Sequence, residues 1–185
     1  MTLIIVIAII VIIILMLISM YNRLVKLRNN RENAFADIDV QLKQRHDQVQ
    51  QLVEVVKGYA AHEKSTFELV VKARNEAMGA QTIDDKIAAE NRLTSALQGL
   101  KVTLEAYPEL KANQNFLQLQ EEIADLENKL SSVRRYFNSA TKELNNAVQT
   151  FPSNIIAGMF GFHREVMFDL GETRANLEEA PEIKF

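Results

Sequence analysis

FLQLQEEIADLENKLSSVRRYFNSATKELNNAVQTF, residues 116–151, decides the fold. Phe116, Leu119, Ile123, Leu126, Leu130, Val133, Phe137, Ala140, Leu144, Ala147 and Phe151 recur at spacings of three and four without a polar lapse. That period puts one apolar stripe along an α-helix, with charged and amide side chains on the opposite face. Pro152 has no amide hydrogen and ends the pattern. Upstream, Tyr107-Pro108-Glu109-Leu110-Lys111-Ala112-Asn113 predicts a break near Ala106 or Tyr107, because the residue before a proline avoids the α region.

Two further helices precede this one. The stripe Phe35, Ile38, Leu42, Arg45, Val49, Leu52, Val56, Tyr59, Glu63, Thr66, Val70, Ala73, Ala77 keeps a seven-residue period. It predicts a helix running from the N-terminal segment to about Met78, weakened at Gly58 and capped at Gly79. A second helix starts at Thr82, whose hydroxyl can cap it, with Asp84 and Asp85 favouring the dipole in its first turn. Its stripe is Ile83, Ile87, then Leu93, Leu97, Leu100, Leu104 and Tyr107. No stretch alternates with period two long enough to make a strand. The expected fold class is all-α: an N-terminal transmembrane helix followed by an antiparallel bundle of three long helices, with a short fourth possible within Ser153–Phe168.

The transmembrane reading comes from residues 1–20, which carry no charged side chain, and Leu3 to Ile18 is unbroken apolar sequence. Twenty helical residues span about 30 Å, the thickness of a bilayer core. A cleaved signal peptide is the rival reading, but only Met1 and Thr2 precede the run and no Ala-x-Ala site follows it. Tyr21 falls where an interfacial aromatic belongs, and Arg23, Lys26, Arg28 and Arg31 all precede the first acid, Glu32. These five form the expected membrane-anchor interface. Positive flanks stay inside, so the expectation is a single-pass protein of a bacterial inner membrane. Its short N-terminus is outside and its bulk cytoplasmic. The domain reading is an anchor at 1–20, a bundle at 21–170 and an acidic tail at 171–185.

Composition narrows the chemistry. Among 185 residues, 21 basic and 24 acidic side chains leave a net charge of −3, against the basic excess of a nucleic-acid binder. The absence of cysteine removes disulfides, thiolate metal sites and cysteine nucleophiles. His62-Glu63 begins a zinc-protease motif that needs a second histidine at position 66, where Thr66 stands. His46 and His62 are accordingly expected at the surface or an interface. Asp37, Asp39 and Asp47 lack a companion nucleophile or phosphate loop and are expected to be solvated. No catalytic, metal or cofactor residue is assigned.

Two features stand out. Arg45 and Glu63 interrupt an apolar stripe, and a charge buried there needs a partner. Glu127 and Arg134 are candidates, the alternative being that both side chains reach out to the bundle edge. The second feature is Ile155-Ile156-Ala157-Gly158-Met159-Phe160-Gly161-Phe162 with Val166, Met167 and Phe168. Ile155, Ile156, Met159, Phe160, Phe162 and Phe168 form a candidate interaction patch. With three long helices its position is at the end far from the membrane, which favours protein over lipid as its contact. The competing reading is packing across the end of the bundle. The C-terminal Ile183 and Phe185 are a weaker candidate for a strand-adding groove on a receptor.

Tyr21-Asn22-Arg23-Leu24-Val25-Lys26-Leu27-Arg28-Asn29, the run from Ile38 to Arg45, Leu52 to Glu63, Ala73-Arg74, Tyr107 to Asn113 with Phe116, and Phe151-Pro152-Ser153-Asn154-Ile155-Ile156-Ala157 with Phe160-Gly161-Phe162 occur in this order along the chain. Together they resemble the bacterial LemA family over almost the whole length. One departure is Asn33-Ala34-Phe35, where relatives often carry Ala-Trp; Phe35 fits the same core position. The resemblance implies an N-terminally anchored helical bundle and no established catalytic activity. It also carries loose associations with membrane-protein quality control and, in magnetotactic bacteria, with organelle membranes. The expected function is a non-enzymatic membrane-anchored scaffold or adaptor. Its expected partners are the membrane, further copies of itself through exposed seam residues, and a membrane protein. The rival is an accessory regulator of a membrane protease or stress system.

Overall fold

The computed structural model describes residues 1–60 and 62–168, and these fall into two compact units. The acidic tail expected at 171–185, with Ile183 and Phe185, lies outside them. The helices are α1 (Thr2–Lys57), α2 (Lys64–Gly79), α3 (Ile83–Leu104), α4 (Pro108–Lys111), α5 (Gln114–Gln149) and α6 (Ser153–Met159). Among the described residues there is no strand, and the fold is all-α.

The second unit comprises residues 38–132 and begins with the last five turns of α1. The helix does not continue to Met78 as its apolar period suggested. It stops at Lys57, and the amides of Tyr59 and Ala60 both donate to the Val56 carbonyl, closing a turn at Gly58. The reason is burial. A continuous helix would leave the stripe beyond Gly58 without a partner. Folding back buries Phe67, Val70, Ala73 and Ala77 with Val49, Leu52, Val53 and Val56 in one core.

This break makes four long helical segments in the second unit, besides the single turn of α4, where three were expected. Asp39 pairs with Lys86 and Arg45 with Thr94, so α3 runs parallel to α1. Arg92 pairs with Glu76, so α2 and α3 are antiparallel. Tyr59 with Asn113 and Arg45 with Glu127 show that α5 returns antiparallel to α1. The caps agree with the sequence. The Thr82 hydroxyl accepts from the Asp85 amide at 3.1 Å, and α3 ends at Leu104. Pro108 opens the single turn of α4, and Leu110 from that turn is buried in the core.

The first unit comprises residues 1–37 and 133–167. The apolar side chains of residues 3–18 are all exposed, and this stretch of α1 is long and apolar enough to cross a membrane. Beyond it, Phe35 meets Phe137 edge-on at 5.5 Å between ring centroids. Leu24 is buried with Ala147. The two pairings set α5 antiparallel to α1 in this unit, so the end of α5 reaches back toward the apolar run.

Candidate functional site

The second unit holds a buried polar cluster built from three helices. Arg45 and His46 stand side by side on α1, Glu90 and Thr94 are one turn apart on α3, and Glu127 is on α5. Glu90 is 1% exposed. Its Oε2 accepts from Arg45 at 2.7 Å and its Oε1 meets His46 Nε2 at 2.5 Å. Arg45 also donates to the Thr94 hydroxyl at 3.0 Å and reaches Glu127 at 2.8 Å. The Thr94 hydroxyl donates a hydrogen bond to the Glu90 backbone carbonyl, and Arg74 donates to the His46 carbonyl. Burial drives the Glu90 carboxyl upward, but the His46 hydrogen bond and the Arg45 charge outweigh it. The carboxyl is held below its ordinary value.

Both oxygens of Glu90 and the guanidinium of Arg45 are committed to partners within the cluster. The arrangement suits holding helices in register, since a buried ion pair is stable only when its remaining valences are satisfied. Beside it, Leu97, Leu104, Leu117 and Ile123 line a groove of about 720 Å³ between α3 and α5, with Arg45 and Glu127 at one side.

The sequence-selected polar pair therefore divides. Arg45 is buried and does meet Glu127. Glu63 is half-buried in the connection before α2 and accepts a hydrogen bond from the Tyr107 hydroxyl at 3.0 Å. It stands on no buried helical stripe, because α1 has already ended. By accepting this hydrogen bond, the Glu63 carboxylate raises the pKa of the Tyr107 hydroxyl above its ordinary value. Of the two histidines expected at the surface or an interface, His46 is buried between α1 and α3 and His62 is exposed. Asp37, Asp39 and Asp47 are exposed. Glu90 was missed, yet a trace of it existed. The α3 stripe skips from Ile87 to Leu93, and position 90 is the vacant place in the three-four spacing.

The second arrangement lies in the first unit, just past the apolar run. Met20, Leu24 and Leu27 of α1 pack with Ala147, Val148, Ile156, Ala157 and Phe162. Tyr21 meets Phe160 at 4.8 Å and Phe162 at 6.1 Å between ring centroids. The Arg28 guanidinium lies over the Phe162 ring at 5.1 Å. α6 ends with Gly161 at φ 73° and a bond from the Phe162 amide to the Ala157 carbonyl. These are the left-handed residue and the six-to-one bond of a Schellman cap. The strap after it is pinned by Asn145, whose amide donates to the Glu165 carbonyl at 2.9 Å. The Asn145 side-chain oxygen accepts from the Glu165 amide at 2.8 Å.

Several sequence assignments change here. The patch is beside residues 20–28, not at the expected far end, because α5 runs antiparallel to α1 within this unit. Ile155, Met159 and Phe160 are exposed and Phe162 is half-buried. Ile156 is buried on α1, and Phe168 is buried and belongs to the second unit. Tyr21, Arg23, Lys26 and Arg28 are exposed after the apolar run. Arg31 is not at its surface. It is 5% exposed, lies over the Phe137 ring at 5.0 Å, pairs with Glu165 at 3.2 Å and donates to the Val166 carbonyl. It lies about 16 Å along the helix from Met20, with its guanidinium paired inside the first unit.

The architecture defines a class: a helical-bundle protein with one N-terminal apolar helix of membrane-spanning length. The LemA family pattern matches residues 34–185, and the chain belongs to the LemA family. It is similar to Protein LemA of Metamycoplasma hominis, with 24% identity over 154 residues covering 82% of this chain and 69% of that protein.

Proposed function

We propose that this protein is a non-enzymatic scaffold or adaptor held at a bacterial inner membrane by residues 1–20, with its bundle in the cytoplasm. The observation that carries the reading is the exposed apolar run of α1, continuous with a helix that goes on into the packed units. Such a run in water is costly at about 25 cal/mol per Å² of apolar surface. The acid-free basic flank supports the inward orientation. The groove between α3 and α5 supports a partner-binding role, because Leu97, Leu104, Leu117 and Ile123 line it while Gln98, Lys101, Glu105 and Gln120 supply polar groups beside them.

Self-association belongs to the same proposal, with a changed origin. Phe35, Ile38, Leu42, Val49, Leu52 and Val56 are buried within one chain, so the seam is not free to zip to another copy. Contacts between copies fall instead to exposed apolar residues such as Leu69, Val102 and Leu117. The test is crosslinking with mass spectrometry on native membranes, together with mass measurement in nanodiscs. Recovery from the membrane fraction with self-crosslinks or a stable partner is expected. Recovery in the soluble fraction overturns the anchor, and a bare monomer without crosslinks overturns the scaffold.

A further inference from the structure

α6 has one face seated on α1 through Ile156 and Ala157 and leaves Ile155, Met159 and Phe160 uncovered. Met159 is 73% and Phe160 57% exposed, and Phe151 just before α6 is 75% exposed. Exposed large apolar residues grouped in this way mark a contact surface. Their depth is set by Tyr21. It is one residue beyond Met20, the end of the apolar run, and Phe160 stacks against it at 4.8 Å. A bilayer carries roughly 5–8 Å of headgroup region on each side of its hydrocarbon core. Residues 21–25 span about that distance along a helix. The uncovered side chains of α6 therefore stand at the level where aromatic and amphipathic groups partition into a membrane surface.

Charge points the same way. The chain as a whole is acidic, yet residues 1–31 and 144–164 contain no Asp or Glu. They contribute Arg23, Lys26, Arg28 and Arg164, all exposed. A basic collar around an apolar tip, whose neighbouring acid Glu165 is already paired with Arg31 at 3.2 Å, complements the anionic headgroups of phospholipids.

We infer that α6 and its Schellman turn form a second membrane contact, a monotopic foot that lies in the interface of the anionic phospholipid leaflet beside the exit of α1. This rests on the anchor reading above. The foot gives the first unit two attachment points and so fixes its tilt on the membrane, which a single helix leaves free.

The test exploits the absence of tryptophan from the chain. Full-length Met159→Trp, Ile10→Trp and Val102→Trp, each with a sole tryptophan, are reconstituted into phosphatidylglycerol and phosphatidylcholine vesicles whose acyl chains are brominated near the headgroup, to reach Met159→Trp, or near the methyl end, to reach Ile10→Trp at the bilayer midplane. The expected result is a roughly twofold loss of Met159→Trp emission, stronger in phosphatidylglycerol, and no loss for Val102→Trp. Combining Met159→Trp with Arg23→Gln, Lys26→Gln and Arg164→Gln should remove the preference for phosphatidylglycerol. If Ile10→Trp is quenched and Met159→Trp is not, the anchor stands and the foot is overturned. Emission from Met159→Trp that shifts with protein-to-lipid ratio but not with bromination overturns it in favour of a second copy. Loss of quenching at Ile10→Trp as well overturns the anchor and the foot together.

Discussion

Glu90 shows how much one carboxylate can hold. It is buried between an arginine and a histidine from α1, and removing it strands Arg45 and His46 away from water. Glu90→Ala should lower unfolding free energy by about 3–5 kcal/mol, the usual result of breaking a buried pair. Arg45→Met alone should cost a similar amount, because it leaves Glu90 underpaired. Replacing Arg45, His46 and Glu90 together by Met, Leu and Leu should restore most of the loss. Urea denaturation of the detergent-solubilised full chain reads all three. If Arg45→Met unfolds at the wild-type midpoint and keeps its oligomeric state, the register role falls. The pH dependence has a defined sign. The folded carboxyl of Glu90 lies below its unfolded value of 4.5, so its stabilisation is complete above that pH. It is lost as pH falls through the lower folded value. The gap between wild-type and Glu90→Gln midpoints should narrow as the pH falls below 4.5. A gap that keeps widening below that pH contradicts the assignment.

At the scale of elements, caps and clamps decide where helices stop. Thr82→Ala removes the hydroxyl that accepts from the Asp85 amide, and should cost about 1 kcal/mol, seen as a lower melting temperature. Gly161 has φ 73°, a conformation that penalises any Cβ, so Gly161→Ala should cost roughly 1–2 kcal/mol despite the open space around it. Asn145 is buried and satisfies both backbone groups of Glu165, so Asn145→Ala leaves two strap groups unpaired at about 1–3 kcal/mol in total. Hydrogen exchange of the Glu165 amide should quicken in Asn145→Ala while the α3 amides stay protected. Uniform acceleration would instead show that the strap unfolds only with the rest.

For the whole molecule, attachment is the property that matters. Deleting residues 2–20 should move the protein from the membrane pellet to the soluble fraction after carbonate washing, since the apolar side chains of residues 3–18 are all exposed on a stretch of membrane-spanning length. Added protease should reach the bundle only when the cytoplasmic face is exposed. Digestion of the bundle from the outer face of intact spheroplasts would reverse the orientation.

Much of this molecule is written in short-range pattern. The apolar run before Tyr21, the Thr82 cap, the stop before Pro108 and the unbroken stripe of α5 each depend on residues within a turn or two of one another. For that reason they were legible from the chain alone, as was the family to which the motifs belong. Other features depend on which surfaces find a partner. The helix stops at Lys57 because the stripe beyond it is buried only by folding back, a choice that seven-residue periodicity does not encode. That turn changes the number of helical passes. In the first unit α5 runs antiparallel to α1, which sets the Ile155–Phe162 segment beside the exit of the apolar run instead of at the expected far end. His46 and Arg31 look like ordinary surface cations in sequence and are buried because Glu90 and Glu165, distant along the chain, arrive beside them. Local spacing fixes which face of a helix is apolar; only packing over long separations selects what covers it, because burial is rewarded by contact and not by position in the sequence.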